Sequence, residues 1–171
     1  MGKSIRKVAL ISGASRGIGA AIAANLLAHG WAVSLGCRTP AEVNVIDSEN
    51  QLVCHFDALD ASTEQAWIAA TLAKFGRIDA LIHNAGIMLP LSILEASDDD
   101  FDRTFGVNVK SPMRLSRLAW PHLQVSGAGR IVMMSSLSGK RVKGERSSLY
   151  AMSKYAALAL AHGLRKIGDA Q

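Results

Sequence analysis

A glycine-rich turn between an apolar strand pattern and a helix pattern is the feature that most constrains the fold of this chain. Residues 4–11 read as a short strand, and they run directly into Ser12-Gly13-Ala14-Ser15-Arg16-Gly17-Ile18-Gly19. Helical spacing of apolar residues follows and ends at Gly30, a residue type suited to a helix C-cap. Glycines permit a tight turn with close backbone approach, and the unpaired N–H groups of a helix N-terminus bind a pyrophosphate. The G-x-x-x-G-x-G spacing therefore predicts a dinucleotide-binding turn; a plain strand-to-helix connection is the alternative.

Apolar strand patterns recur along the chain and are separated by segments with helical spacing. They cover residues 7–12, 32–36, 52–56, 80–83 and 130–134. Such alternation predicts an α/β fold, a doubly wound, Rossmann-type parallel sheet with helices on both faces. Right-handed crossovers give five strands in the order 3-2-1-4-5, with a ligand crevice outside their carboxyl ends. Residues 39–51 lack helical periodicity, so we expect the helix between the second and third strands to be reduced to a turn.

Length and composition suit one folded domain that spans residues 1–171, with 49% hydrophobic and 19% charged residues. No apolar run approaches the ~20 residues needed to span a bilayer. Residues 1–4 lead straight into the first strand without room for a signal peptide. We therefore expect a cytoplasmic protein with no membrane partner. Cys37 and Cys54 have neither zinc-ligand nor C-x-x-C spacing, so free thiols and no metal site are predicted.

The net charge of +5 does not predict nucleic-acid binding, because the basic residues are spread along the chain without interleaved aromatic residues. One local exception is Lys140-Arg141-Val142-Lys143-Gly144-Glu145-Arg146. This loop would border the cleft at the strand ends. It is either a solvated surface loop or a surface that attracts an acidic substrate or carrier.

Tyr150 and Lys154 lie four residues apart, which places them one turn apart on the same face of a helix. A free phenol has a pKa of about 10, so it exchanges protons near neutral pH only where a neighbouring positive charge favours the phenolate. Ser135 and Ser136 lie just upstream. The pair predicts a proton-transfer site in a partly dry cleft; an ordinary amphipathic helix with a surface lysine is the alternative.

These motifs together resemble those of the short-chain dehydrogenases/reductases. They come in that family's order: the glycine turn, His83-Asn84-Ala85-Gly86, Asn108, Ser136 and the Tyr150–Lys154 pair. The resemblance covers essentially all 171 residues. Family members usually continue through two more strands and a helical segment that closes over the substrate, so the resemblance implies a C-terminally incomplete domain. The family usually has Asn where His83 stands, a minor variation.

The resemblance implies four catalytic residues. Ser136 would hydrogen-bond the substrate oxygen, Tyr150 would give or take the proton, and Lys154 would hold the nicotinamide ribose and favour the phenolate. Asn108 would position a water that continues the proton relay; the alternative is a helix-interior Asn that bonds its own backbone. Ser135, one residue earlier on a strand end, should point to the opposite face of the sheet from Ser136, so Ser136 is preferred.

The resemblance also implies the residues that contact a cofactor. They are Gly13, Ser15, Arg16, Gly17, Ile18 and Gly19 of the turn, with Arg38, Asp57, Asn84, Ala85, Gly86, Tyr150 and Lys154. Asp57 resembles the family's acid that contacts the adenine amino group; helix capping is the alternative, for which Asp60 and Ser62 are better placed. Asn84 to Gly86 would bring close backbone alongside the cofactor, although a simple turn would have the same residues.

NADP is the predicted cofactor, because no acidic residue directly follows the second strand. In NAD-binding proteins of this architecture an Asp or Glu there bonds the ribose hydroxyls, and it would repel a 2′-phosphate. This chain has Gly36-Cys37-Arg38-Thr39 at that point, and the nearest acid is Glu42. Arg38 and Arg16 are expected to pair with the phosphate; a plain surface role for Arg38 is the alternative.

The predicted function is an NADP(H)-dependent oxidoreductase that interconverts a carbonyl and a secondary alcohol by hydride transfer, with Tyr150 as acid or base. The alternative is a non-catalytic, NADP-binding regulatory or scaffold protein. Apolar residues after Gly86 favour a small hydrophobic or acyl-like substrate, as in the 3-oxoacyl-carrier-protein reductases of the family. Helices around 113–123 and 150–167 resemble those through which members form dimers and tetramers, so a homo-oligomer is expected. Burial of these helices within one chain is the alternative.

Overall fold

The computed structural model describes residues 6–170. Positions 1–5, with Ser4 and Ile5 of the first predicted strand, and Gln171 lie outside the described residues. The chain divides into two compact units. The first runs to Ala85 and includes Leu115–Val132, and the second consists of Gly86–Arg114 and the residues from Met133 onwards. The expected single domain over residues 1–171 stays a prediction.

A five-stranded sheet has the strand order β3-β2-β1-β4-β5. The strands are β1 (Val8–Ser12), β2 (Ala32–Cys37), β3 (Gln51–His55), β4 (Ala80–His83) and β5 (Arg130–Met133). β1 pairs in parallel with β2 and with β4, and β2 pairs in parallel with β3. The predicted strand order and the doubly wound α/β fold are therefore confirmed.

Helices alternate with the strands along the chain. They are α1 (Gly17–Ala28), α2 (Ala61–Phe75), α3 (Asp98–Phe105), α4 (Ser111–Val125) and α5 (Ser148–Asp169). A π-helical segment, Gly106–Lys110, joins α3 to α4. Between β2 and β3 the described residues contain a single 3-10 turn, Pro40–Glu42, in agreement with the missing helical periodicity.

The core of the first unit forms on β1 and β2, which are buried along their whole length. Parallel strands covered on both faces are apolar at nearly every position, as these two strands are. On one face the strand residues pack against apolar side chains of α1; the cluster includes Ala9, Ile11, Val33, Leu35, Ile22, Leu26 and Leu27. Each large apolar side chain buried here contributes about 1.5–3 kcal/mol. This packing fixes the turn between β1 and α1.

β5 lies at one edge of the sheet, as the predicted strand order requires. Its residues alternate between exposed and half-buried, in contrast with β1 and β2. Val132 keeps 46% of its surface exposed.

Among residues 6–170, no helix is both long enough and apolar enough to cross a membrane. In the same residues, no group of three or more His, Cys, Asp or Glu side chains is positioned to hold a metal ion.

Cys37 and Cys54 are free thiols on neighbouring strands. The strand register pairs Cys54 with Gly36 and Cys37 with His55. Because paired residues of a parallel ladder share a face and successive residues alternate, the two thiols project from opposite faces of the sheet. Burial raises the pKa of both thiols.

Candidate active site

The glycine turn between β1 and α1 is held by the neighbouring strand β2. The Gly36 carbonyl accepts hydrogen bonds from Gly13 N at 2.8 Å and from Ala14 N at 3.4 Å. Gly13 has a φ of 66°, in the left-handed region, and a Cβ at this position would lie 2.9 Å from the Ala85 Cα. A side chain at residue 13 would therefore meet both backbone strain and a steric clash.

The N-terminus of α1 follows this turn. Its N-cap residue, Arg16, has an extended backbone and, among the described residues, no hydrogen bond from its side chain to the helix end. The first turn of the helix carries no acidic residue. Arg16, Gly17 and Ile18 are exposed and Ser15 is half-buried. Backbone N–H groups and the helix dipole at such an end attract an anion.

Asn84, directly after β4, ties the glycine turn in place. Its Nδ2 donates to Ser12 O at 3.0 Å and to Gly13 O at 2.9 Å. The backbone N–H groups of Asn84 and Ala85 both donate to Ser12 Oγ at 3.1 Å. A Cβ at Gly19 would lie 2.5 Å from both Asn84 Nδ2 and Gly13 O, so α1 packs here because residue 19 is a glycine. The sequence did not predict this holding role of Asn84 and Ser12, because hydrogen bonds between residues 72 positions apart leave no local pattern.

Arg38 and Asp57 lie after the carboxyl ends of β2 and β3. Arg38 is exposed, and its carbonyl oxygen is 3.0 Å from Nδ1 of His55, which donates in the matching tautomer. Asp57 is half-buried, and its Oδ1 accepts from Leu59 N at 2.9 Å. The helix-capping alternative for Asp57 does not hold, because Asp60 is the N-cap residue of α2 and accepts from Ser62 N at 2.9 Å.

Lys154 lies buried beside Tyr150 in the second unit, with 7% of its surface exposed. Its Nζ is 5.7 Å from the centroid of the Tyr150 ring and donates to Met134 O at 2.9 Å. Burial lowers the pKa of Lys154, because an ammonium group loses hydration there. A Cβ at Gly86 would lie 3.7 Å from this Nζ, so the small residue leaves space next to the ammonium group. The surface-lysine alternative is therefore wrong.

Asn108 is buried in the π-helical segment and fixes the backbone of Ile87. Its Oδ1 accepts from Ile87 N and its Nδ2 donates to Ile87 O, both at 2.9 Å. The same Nδ2 donates to Ser153 Oγ at 2.9 Å, and Ser153 Oγ donates to Tyr150 O at 2.7 Å. The side chain thus bonds distant backbone rather than that of its own helix, and it connects to the helix of Tyr150. Single-turn π segments often occur at functional sites.

Ser136 caps a short 3-10 turn, Leu137–Gly139, and its Oγ accepts from Ser138 N at 3.1 Å. Ser136 is half-buried and Ser135 is exposed. Ser136 lies two residues after Met134, the acceptor of the Lys154 ammonium group. The lysine therefore ties α5 to the segment that carries Ser136.

The basic loop between Ser136 and Tyr150 is exposed from Lys140 to Arg146. Arg146 Nε donates to Pro90 O at 2.9 Å, and Ser148 Oγ accepts from Ile93 N at 3.0 Å. These bonds attach the loop to the apolar segment after Gly86, in which Met88 is 54% exposed.

Comparison with known proteins assigns the chain to a family. The family model described as short chain dehydrogenase matches residues 7–168. The chain belongs to the short-chain dehydrogenase family. This confirms the resemblance in the sequence; the roles of the individual site residues stay predictions.

Similar proteins include two oxidoreductases and two solved structures. Agropine synthesis reductase of Rhizobium rhizogenes is 41% identical over 165 residues, which cover 94% of this chain and 38% of that protein. Oxidoreductase UcpA of Escherichia coli K12 is 34% identical over 169 residues, covering 96% of this chain and 64% of that protein. A short-chain dehydrogenase from Streptomyces avermitilis superposes with a TM-score of 0.89 at 29% identity, covering 95% of this chain and 60% of that one. The alcohol dehydrogenase of Thermococcus sibiricus, complexed with 5-hydroxy-NADP, superposes with a TM-score of 0.87 at 29% identity, covering 94% of this chain and 70% of that one. The chain thus spans 38% of the length of agropine synthesis reductase and 64% of the length of UcpA.

Proposed function

We propose that this chain provides the dinucleotide-binding and proton-transfer residues of an NADP(H)-dependent oxidoreductase that interconverts a carbonyl and a secondary alcohol. The observation that carries the proposal is the buried Lys154 ammonium group beside the Tyr150 ring, 5.7 Å from its centroid. In the proposed mechanism Lys154 would act on the phenol as a neighbouring cation does, favouring the charged form that proton exchange needs. Membership of the short-chain dehydrogenase family supports this chemistry.

The residues of the first unit fit a dinucleotide. Gly13 and Gly19 keep side chains out of the turn, and the N-terminus of α1 is available for a pyrophosphate. Ser15 to Gly19 would bind the pyrophosphate, and Asp57 would accept from the adenine amino group. Asn84 and Ala85 hold the turn. In the second unit, Gly86 leaves space beside Lys154. When bound, the nicotinamide supplies or accepts the hydride.

NADP is proposed over NAD because of the charges near the ends of β1 and β2. Arg16 and Arg38 are both exposed and carry the positive charge that pairs with a 2′-phosphate. The residue after β2 is Arg38, where NAD-binding proteins carry an acid. The solved alcohol dehydrogenase of Thermococcus sibiricus, which is similar to this chain, is a complex with 5-hydroxy-NADP.

Tyr150 is proposed to donate a proton to the carbonyl oxygen in reduction and to take it back in oxidation. Ser136 would donate a hydrogen bond to that oxygen, and Lys154 would stabilise the phenolate and bond the nicotinamide ribose. Asn108 is proposed to support the proton relay. Its side-chain amide already bonds Ile87 and Ser153.

A small apolar or acyl-like molecule is the proposed substrate class, because apolar side chains follow Gly86 and are exposed, among them Met88. The basic loop would suit an acidic carrier.

Homo-oligomerisation as a dimer or tetramer is also proposed, since α4 and α5 carry Met113, Met152 and Tyr155, each about half exposed. A cytoplasmic location and a single domain complete the proposal.

Replacement of Tyr150 by Phe tests the function. The purified chain would be mixed with NADPH and a panel of aliphatic ketones and 3-oxoacyl esters, with oxidation of NADPH followed by absorbance. Tyr150→Phe is expected to lower turnover by about 100-fold or more, since general acid catalysis of this kind contributes about 10²- to 10⁴-fold. Binding of NADPH, measured by fluorescence titration, is expected to persist.

Tyr155→Phe is the matched control, because Tyr155 is the other tyrosine of the chain and is 45% exposed on the same helix. It is expected to keep the wild-type rate. Turnover by Tyr150→Phe equal to that of Tyr155→Phe would remove the assignment of Tyr150 as acid and base.

A further inference from the structure

Trp67 of α2 occupies the space that a side chain on Gly36 of β2 would fill. Its ring carbons Cη2, Cζ3 and Cζ2 lie 2.7, 2.8 and 2.9 Å from the position of a Cβ at residue 36. Contacts this short do not form between a real Cβ and a fixed ring. The strand therefore accepts the indole at this point because residue 36 is a glycine.

The Gly36 carbonyl is also the acceptor that holds the start of the glycine turn. It bonds Gly13 N at 2.8 Å and Ala14 N at 3.4 Å. Any displacement of the backbone at residue 36 would move the turn that is proposed to bind the pyrophosphate. The side of Gly36 that faces α2 is in contact with Trp67. The indole thus supports the turn through a single intervening residue.

The indole itself is fixed by a closed set of buried hydrogen bonds. Trp67 Nε1 donates to Ser34 Oγ at 2.8 Å. Ser34 Oγ and Thr71 Oγ1 are 2.7 Å apart, and Thr71 Oγ1 donates to Trp67 O at 2.8 Å. Trp67, Ser34 and Thr71 are each 0% exposed. A fully satisfied buried network of this kind holds its members in one arrangement, so the ring has one position.

The same indole packs against the residue that leads into Asp57. The ring centroids of Phe56 and Trp67 are 5.1 Å apart, with an interplanar angle of 48°. Phe56 N donates to Cys37 O at 2.9 Å, directly before Arg38. The indole therefore contacts β2 at Gly36, two residues before Arg38, and Phe56, the residue before Asp57; it reaches the glycine turn only through Gly36.

We infer that Trp67 is a positioning residue for the dinucleotide: packed between Gly36 and Phe56, it sets the position of the glycine turn and of the ends of β2 and β3 without touching the ligand. The inference rests on the proposed function, since it names a determinant of affinity for the same ligand. The matching Gly36 and Trp67 form a compensating pair, in which the missing side chain of one makes room for the ring of the other.

Trp67→Phe is the first test, with NADPH as the probe and the full chain as the protein. The dissociation constant is expected to rise about 2- to 10-fold, which corresponds to the net contribution of about one hydrogen bond. Trp31→Phe is the matched control, because Trp31 is half-buried in the first unit and packs on the α1 side of the sheet. It is expected to change thermal stability and leave the dissociation constant unchanged.

Amide hydrogen exchange provides a readout that does not depend on ligand. Exchange at Gly13 and Ala14, the two amides bonded to Gly36 O, is expected to accelerate in Trp67→Phe and not in Trp31→Phe. Ser34→Ala removes the acceptor of the indole N–H and keeps the ring, so it repeats the test if Trp67→Phe does not fold.

Gly36→Ala is expected to weaken NADPH binding in the wild-type chain. The same substitution is expected to have a smaller effect on NADPH binding in Trp67→Phe, where the smaller ring leaves room.

The outcomes separate the inference from the function on which it rests. Equal effects of Trp67→Phe and Trp31→Phe on affinity and on Gly13 exchange would overturn the positioning role. The positioning role would also be overturned if the effects of Gly36→Ala and Trp67→Phe on the free energy of NADPH binding were additive. A wild-type chain that binds no NADPH would overturn the proposed function, and Gly13 exchange would still decide whether Trp67 holds the turn.

Discussion

Acidification from about pH 7 to about pH 5 is expected to destabilise the chain, and about 2 kcal/mol of the loss is assigned to His83. All five histidines lie within residues 6–170, and His83 is the buried one, with 3% of its surface exposed. Its Nε2 is 2.8 Å from Ser116 Oγ. Burial lowers the pKa of His83 from 6.5 to about 3, because the charged imidazolium would lose its hydration.

The sign of the effect follows from the order of the two pKa values. The unfolded chain binds a proton to His83 near pH 6.5, whereas the folded chain does so only near pH 3. The neutral imidazole of His83 therefore makes its full contribution to the free energy of unfolding above pH 6.5. This contribution is lost as the pH falls from 6.5 towards 3. At about pH 5 the difference of about 1.5 units from the unfolded pKa corresponds to about 2 kcal/mol.

Urea unfolding at the two pH values measures this loss. His83→Asn removes the titrating group, and its free energy of unfolding is expected to fall by about 2 kcal/mol less than that of the wild type. Carboxylates titrate alike in both proteins, so the difference isolates His83. His162→Asn, at an exposed histidine in α5, is the control and should behave as the wild type. Equal losses in wild type and His83→Asn would refute the reasoning.

Two further predictions concern the candidate site. Asn108→Ala removes the bonds to both polar backbone groups of Ile87 and is expected to lower the free energy of unfolding by about 2–4 kcal/mol, measured in urea. Ser153→Ala, which breaks fewer bonds, should cost less, and an equal cost would contradict the role of the Ile87 bonds. Arg38→Ala is expected to raise the dissociation constant of NADPH about tenfold and to leave that of NADH within about twofold, since it removes a charge that pairs only with the 2′-phosphate. Arg165→Ala, at a side chain 80% exposed in α5, is the control, and a similar loss for NADH would argue against selection by Arg38.

The fold was predictable because its main determinants are local patterns. Continuous apolar runs separated by helical spacing gave the parallel sheet, and right-handed crossovers left one strand order, which the structure has. The missing helical periodicity after β2 likewise indicated the single turn at Pro40–Glu42. These features need no knowledge of distant contacts.

The site was only partly predictable because its geometry depends on contacts between distant residues. The spacing of Tyr150 and Lys154 indicates the pair, but not that the buried lysine donates to Met134 O, 20 residues away. Asn108 was singled out by resemblance, whereas its hold on Ile87 follows from the π-helical segment, which no periodicity revealed. The packing of Trp67 on Gly36 pairs residues in different elements, and no local spacing records such a pair.

The double attachment of the glycine turn has a consequence for the thermodynamics of ligand binding. Gly36 O bonds the turn from one side and Asn84 Nδ2 from the other, so the turn is ordered by the protein itself. Ordering one backbone residue costs about 1–2 kcal/mol of conformational entropy. For Gly13 and Ala14 that cost is met during folding rather than on binding, and a pre-organised loop of this kind leaves more of the interaction energy to appear as affinity.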